Sequence, residues 1–193
     1  SGFVKKALVI GAEKLSGVMD YRDRSTSVLF GDGAGAAVYE ASEGNAGVLA
    51  VDIGADGGKG QTMVLKSMGT NGNVFKSLLA EEMALHFEGQ AVFKIAVQGI
   101  AASVTRVLET AGFESEEIDV VIPHQANARM VDAATRLLKL DENKVFMNID
   151  TLGNTGAASI PMAISDALDA GKINPGDLIV LSAFGGGVTW GSI

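Results

Sequence analysis

Between residue 90 and the carboxyl end, segments with apolar residues at helical spacing alternate with short apolar runs that stop at Gly or Pro, and few folds accept that alternation. Val92, Phe93, Ile95, Ala96, Ile100, Val104, Val107 and Leu108 share one helical face up to an Ala111-Gly112 stop. Residues 119–122, closed by Pro123, predict a strand. A second helix is expected over 126–138, with Met130, Ala133, Ala134, Leu137 and Leu138 on its apolar side. Then follow a strand over 145–149, a helix over 157–170 and a strand over 177–182, which feeds a Gly triplet and a last strand. Helix, strand, helix, strand, helix, strand, strand is the order of a layered α/β sheet.

The first ninety residues are more broken. Residues 5–11 read as a strand buried on both faces, and 27–30 and 34–39 as two further strands joined by Gly31-Asp32-Gly33-Ala34-Gly35. Residues 44–72 are rich in Gly and polar residues, with one extended stretch at 48–53, and predict a long excursion between two units. The cadence KKALVIGAE…SVLFGDGAGAAV parallels DLIVLSAFGGGVTWGSI at the other end, which points to an internal duplication whose first copy is represented by its tail. The expected division is 1–42 as closing strands of a first half, 43–89 as a connecting excursion and 90–193 as a second half. With no initiator Met and a last strand still apolar, the sequence reads as a piece of a longer chain; Ser1-Gly2 is a native turn or a tag scar.

Composition removes several function classes. The 193 residues contain no Cys, so disulfides, thiolate metal sites and thiol nucleophiles are outside what they do alone. Fifteen Lys and Arg against 23 Asp and Glu give a net charge of −8, with scattered cations, which argues against nucleic acid as a partner. No uninterrupted apolar run approaches the roughly 18 to 20 residues of a membrane span, and no export signal precedes the first strand. No membrane partner and a cytoplasmic location are therefore expected.

His124 sits in Val120-Val121-Ile122-Pro123-His124-Gln125-Ala126-Asn127, a strand end directly before a helix, where open α/β sheets gather ligands. It is either a local capping or core residue or part of a site. Asn154, in Leu152-Gly153-Asn154-Thr155-Gly156, also precedes a helix, where an Asn commonly satisfies free amides. Two neutral donors at neighbouring strand ends can converge on one carbonyl oxygen, as an enolate or oxyanion requires. Phe184-Gly185-Gly186-Gly187 suits a hairpin turn or a close backbone approach to a ligand. Gly31 to Gly35 lacks the spacing of a nucleotide loop, Asp52 and Asp56 lack that of a calcium loop, and His86 has no visible partner.

Four strings stand in the same order and at similar spacing in β-ketoacyl-[acyl carrier protein] synthase III: Phe30-Gly31-Asp32-Gly33-Ala34-Gly35-Ala36, Pro123-His124-Gln125-Ala126-Asn127-Ala128-Arg129, Gly153-Asn154-Thr155 with Ala157-Ala158-Ser159, and Phe184-Gly185-Gly186-Gly187 with Thr189-Trp190-Gly191. The sequence resembles the carboxyl-terminal part of that family over essentially its whole length. The resemblance implies an α/β thiolase-like fold, two duplicated halves in αβαβα layers, usually in a homodimer and here with an absent amino-terminal half. It implies initiation of fatty acid biosynthesis: decarboxylative Claisen condensation of acetyl-CoA or another short acyl-CoA with malonyl-acyl carrier protein, giving a 3-oxoacyl product. It implies no metal or tightly bound cofactor, coenzyme A entering as a substrate carrier.

By the same resemblance His124 and Asn154 are the enolate-stabilising pair. Phe184, Gly185 and Gly186 line the acyl pocket, and Arg24, Phe87, Gly89, Phe93, Ala126, Asn127 and Arg129 contact coenzyme A and its pantetheine arm. Lys94, Arg129 and Arg136 supply a basic patch for an acidic carrier protein. Two departures stand out: the family's nucleophilic Cys is missing, which predicts no condensation by these residues alone, and Gly156 replaces a common Ser. The alternatives are a related thiolase-fold acyltransferase of polyketide or quinolone synthesis, or a Cys-less assembly partner without catalysis.

Overall fold

A computed structural model describes residues 4–44, 46–65 and 85–193. Ser1-Gly2 and the part of the excursion at 66–84 lie outside the described residues. The elements are β1 (Lys6–Lys14), β2 (Asp32–Glu40), β3 (Asp52–Ala55), β4 (Met63–Leu65), β5 (Leu85–Phe87), α1 (Gly89–Ala111), β6 (Val120–Pro123), α2 (Ala128–Leu137), α3 (Ile149–Leu152), α4 (Ser159–Asp169), β7 (Ile179–Gly185) and β8 (Thr189–Ser192).

Strands β3, β8, β7 and β6 form one sheet in that order. The β6–β7 pair is parallel and β7–β8 and β3–β8 are antiparallel. Strand β3 comes from the 43–89 excursion, so that stretch contributes to the same sheet as the last strands. All four residues of β6 are buried, because both faces of the sheet are covered. On one side Val121 joins Val92, Ala96, Ile100 and Val104 of α1 and Met130 and Ala134 of α2. On the other, Val120 and Ile122 pack against Ala163 and Ala167 of α4. Helix α1 ends where Gly112 takes φ 78° and its N–H bonds the Leu108 carbonyl. Length and apolarity alone would let this 23-residue helix cross a membrane, but its apolar stripe is used against the sheet.

Strands β1 and β2 pair antiparallel, Gly11 opposite Gly35. Their glycines let α4 and the turn before it approach closely: a Cβ on Gly35 would meet Pro161 of α4, and one on Gly11 would overlap the backbone of Ala157 in that turn. Helix α4 is thus shared between two sheets, giving helix, sheet, helix, sheet in successive layers. The expected burial of the first strand on both faces is not met. The outward residues Leu8, Ile10 and Val38 are 62%, 64% and 70% exposed, since no described element packs on that face.

Two expected strands are not strands. Residues 24–29 form turns because the Asp23 carboxylate accepts from Ser25 N, Ser25 Oγ and Thr26 Oγ1 and its carbonyl accepts from Ser27 N, winding the chain locally. Only Phe30 bridges, to Asn154. At 145–149 a single bridge joins Val145 to Val121; then Asn148 N donates to Gln125 Oε1 and the chain leaves the ladder for α3. Helix α2 begins at Ala128, two residues later than expected, because Asn127 is extended and caps it through Arg129 N.

Candidate active site

Strand β6 delivers His124 to the carboxyl edge of the sheet. Its backbone N–H donates to Ser182 O at 2.6 Å, extending the β6–β7 ladder by one bond, and Ala126 N returns to the His124 carbonyl at 2.9 Å, so the chain turns at once into the α2 cap. The buried Gln125 secures that turn: Nε2 donates to Pro123 O at 2.8 Å and Phe146 O at 3.3 Å, and Oε1 accepts from Asn148 N at 3.2 Å. His124 Nδ1 lies 2.6 Å from Ser159 Oγ at the start of α4. Burial pushes the imidazole down to about 4, so the ring is neutral near pH 7.

Asn154 is held from two directions. Its backbone N–H donates to Leu29 O at 2.9 Å and its carbonyl accepts from Gly31 N at 2.8 Å, which lashes the loop after α3 to the segment entering β2. Its Oδ1 accepts from Gly156 N at 2.9 Å. That bond fixes the carboxamide and leaves Nδ2 as the end free to donate. Gly156 has φ 58°, and a Cβ there would sit 2.8 Å from Glu13 Cγ. A side chain at this position would require the Glu13 side chain of β1 to shift.

His124 and Asn154 line one cavity of about 1070 Å³, together with Phe184, Gly185 and Gly186 of the β7 end and turn. Met63, Phe87, Phe93 and Trp190 give it apolar walls, and Gly89, Ala126, Asn127 and Arg129 also border it. Of the residues singled out from sequence, Arg24, Lys94 and Arg136 are exposed and stand outside this lining; Arg24 directly precedes the lining residues Ser25 and Thr26. Sequence reasoning missed Ser159, Gln125 and Glu13 as parts of the site. The first two were legible only as members of the strings Ala157-Ala158-Ser159 and Pro123-His124-Gln125. Glu13 lies 144 positions from Ala157, whose N–H its Oε1 accepts at 3.4 Å, and no local pattern marks it.

Comparison with known proteins is consistent across sequence and structure. A family model described as 3-oxoacyl-[acyl-carrier-protein (ACP)] synthase III matches residues 1–57, and one for the C terminal part of the same synthase matches 108–193. The chain is 45% identical over 193 residues to beta-ketoacyl-[acyl-carrier-protein] synthase III of Campylobacter concisus, covering 100% of this chain and 58% of that relative. The crystal structure of 3-oxoacyl-[acyl-carrier-protein] synthase III from Aquifex aeolicus superposes with a TM-score of 0.87 at 44% identity, over 97% of this chain and 56% of that one. The corresponding Pseudomonas aeruginosa structure gives a TM-score of 0.89 at 37% identity, over 99% and 57%. The layers described above are those of this thiolase-like fold, and the chain spans a little over half the length of the relatives it matches.

Proposed function

Because the chain belongs to the 3-oxoacyl-[acyl-carrier-protein] synthase III family, we propose that it carries the decarboxylation and enolate-holding half of a condensing acyltransferase that starts fatty acid synthesis. The observation that supports this most is the pair of neutral donors, His124 and Asn154, on one cavity wall. In this reading a malonyl thioester enters with its thioester oxygen between His124 Nε2 and Asn154 Nδ2. The bond to the carboxylate carbon breaks, carbon dioxide leaves, and the electron pair passes into the carbonyl to make an enolate. Two hydrogen bonds that strengthen as the oxygen gains charge lower that barrier. The nucleophilic carbon then attacks the carbonyl of an acyl-cysteine thioester, expelling thiolate and forming a 3-oxoacyl thioester.

These 193 residues hold no Cys, so the acyl-bearing thiol comes from elsewhere in the assembled enzyme, and the chain alone does not condense. The acyl donor is acetyl-CoA or another short acyl-CoA, the malonyl carrier an acyl carrier protein, and the working form a homodimer in the cytoplasm. Phe87, Phe93, Gly89, Ala126, Asn127 and Arg129 border the cavity where a pantetheine arm would run, with Arg24 outside it as a contact for the nucleotide end. Exposed Lys94, Arg129 and Arg136 offer positive charge to an acidic carrier on a protein of net charge −8. In terms of domains, 1–42 closes a first half, 43–89 connects and lends β3 to the second, and 90–193 supplies the rest of the second.

Release of labelled carbon dioxide from a malonyl thioester tests the reading. Slow turnover is expected, lost in His124→Ala and Asn154→Ala; equal turnover in all three proteins would overturn it. Transfer of radiolabelled acetyl from acetyl-CoA to protein separates condensation from an assembly role: the chain alone stays unlabelled, and a preparation holding the thiol becomes labelled only if the enzyme reading holds.

A further inference from the structure

The proposed reaction needs a proton on the imidazole nitrogen that faces the cavity, and a neutral histidine carries only one. We infer that Ser159 is a positioning residue that fixes the His124 tautomer, keeping the proton on Nε2 by donating its own hydroxyl hydrogen to Nδ1. This inference rests on the reading of the site given above and adds what sets the polarity of its imidazole.

Ser159 is 2% exposed, so its hydroxyl cannot be satisfied by bulk water. It has two bonds among the described residues. Gln125 N–H points at Oγ from 3.4 Å, and His124 Nδ1 lies 2.6 Å away. The backbone amide can only donate, so it occupies a lone pair of Oγ. Among the described residues no carbonyl or carboxylate is placed to take the hydroxyl hydrogen, and Nδ1 is the acceptor left for it. The opposite tautomer, with Nδ1–H donating to Oγ, would give the buried oxygen two donors and leave its own hydrogen without an acceptor. Nδ1 is therefore the accepting nitrogen and Nε2 the donating one.

The sequence supports the geometry by placing each part on a rigid element. His124 ends β6, Gln125 is pinned through both ends of its carboxamide, and Ser159 opens α4, whose far residues Ala163 and Ala167 are wholly buried beneath β6. The imidazole is thus held between a strand end and a helix start that pack on each other, and the hydroxyl has little freedom to find another partner.

The test is nitrogen NMR of the full chain labelled at histidine, near pH 7, with His86→Gln used to assign the two rings. A pyrrole-type Nε2 and a pyridine-type Nδ1 are expected for His124. Ser159→Ala should lose that preference and Ser159→Thr, which keeps the hydroxyl, should retain it. With the preference lost, about half of the imidazoles present the wrong nitrogen, and malonyl thioester decarboxylation by Ser159→Ala falls roughly twofold in kcat, with KM little changed. A pyridine-type Nε2 in the unaltered protein, or an unshifted tautomer in Ser159→Ala, overturns the inference. Should Ser159→Ala not fold, the unaltered protein and the Thr variant still decide it. The tautomer is read without turnover, so an Nε2–H imidazole in a protein inert toward malonyl thioesters upholds this inference and sinks the condensing one.

Discussion

Phe30 and Asn154 form a parallel β-bridge across 124 positions of sequence, and it is this bridge that fixes the loop bearing one of the two cavity donors. Asn154 follows α3, yet its backbone is bonded to Leu29 and Gly31, which lead into β2. The candidate site consequently draws on the β1–β2 pair as well as the four-stranded sheet, and neither supplies it alone.

Gly31→Ala is expected to break that arrangement. A Cβ at Gly31 would overlap the Leu152 carbonyl oxygen, which is backbone and cannot swing aside. Overpacking of this kind costs roughly 1 to 3 kcal/mol. Urea unfolding should show the loss, and decarboxylation of a malonyl thioester should fall by more than the change in folded fraction, because the Asn154 loop is displaced even in folded molecules.

Asn154→Asp keeps an oxygen to accept from Gly156 N and exchanges the donating Nδ2 for a second acceptor. Loss of one donor to a developing oxyanion costs about 100- to 1000-fold in rate. The thermal midpoint is expected to stay close to that of the unaltered protein, so comparing melting curves with decarboxylation rates separates a lost hydrogen bond from a lost fold.

Acid should weaken the fold through His124. Its value of about 4 lies below the usual 6.5, so between those limits the unfolded chain binds the proton that the folded ring refuses. The stability this group contributes is complete above about pH 6.5, declines as pH falls, and is gone below about pH 4. A shift of that size corresponds to at most about 3 kcal/mol. Urea midpoints measured from pH 7 to pH 4.5 should fall, and His124→Gln should flatten that part of the dependence.

Asp52 is the polar tie between β3 and α1. Its carboxylate accepts from Arg106 Nε at 2.7 Å, Arg106 Nη2 at 2.8 Å and Ser103 Oγ at 2.6 Å. Those partners, Arg106 first, hold it down to about 2. The contribution is present above roughly pH 4 and is lost as pH falls through about 2. Asp52→Asn should destabilise the protein by about 1 to 2 kcal/mol at pH 7, allowing for the partial exposure of Arg106. Chemical denaturation checks it, and faster amide exchange in β3 than in β7 would locate the loss.

The sequence made the second sheet and its helices legible because the helices bury one face with a clear period and β6 is a short apolar run buried on both faces. Strand β6 stands out as four buried residues closed by Pro123, and α1 as an apolar stripe with a Gly stop. The stretches at 27–30 and 145–149 have the apolar content of strands, but Asp23 and Gln125 capture the backbone there through their side chains. His124 and Asn154 could be found from their places before helices, and the structure brings them to one cavity. The surrounding contacts were harder to read: Ser159, bonded to His124 across 35 positions, is marked only by the Ala157-Ala158-Ser159 string, and Glu13, which accepts from Ala157 N across 144 positions, has no local pattern. Arg24, Lys94 and Arg136 are suggested only by family resemblance; they are exposed outside the cavity lining, where coenzyme A and carrier binding would test them.

The cavity divides its labour. Its donors hang from the loops after β6 and α3, whereas its greasy walls come from Met63 of β4, Phe87 of β5, Phe93 of α1 and Trp190 of β8. Changing the bulk of a wall residue therefore reshapes the apolar room while the polar pair keeps its aim. The size of that room can drift by single substitutions without disturbing the loops that carry the donors.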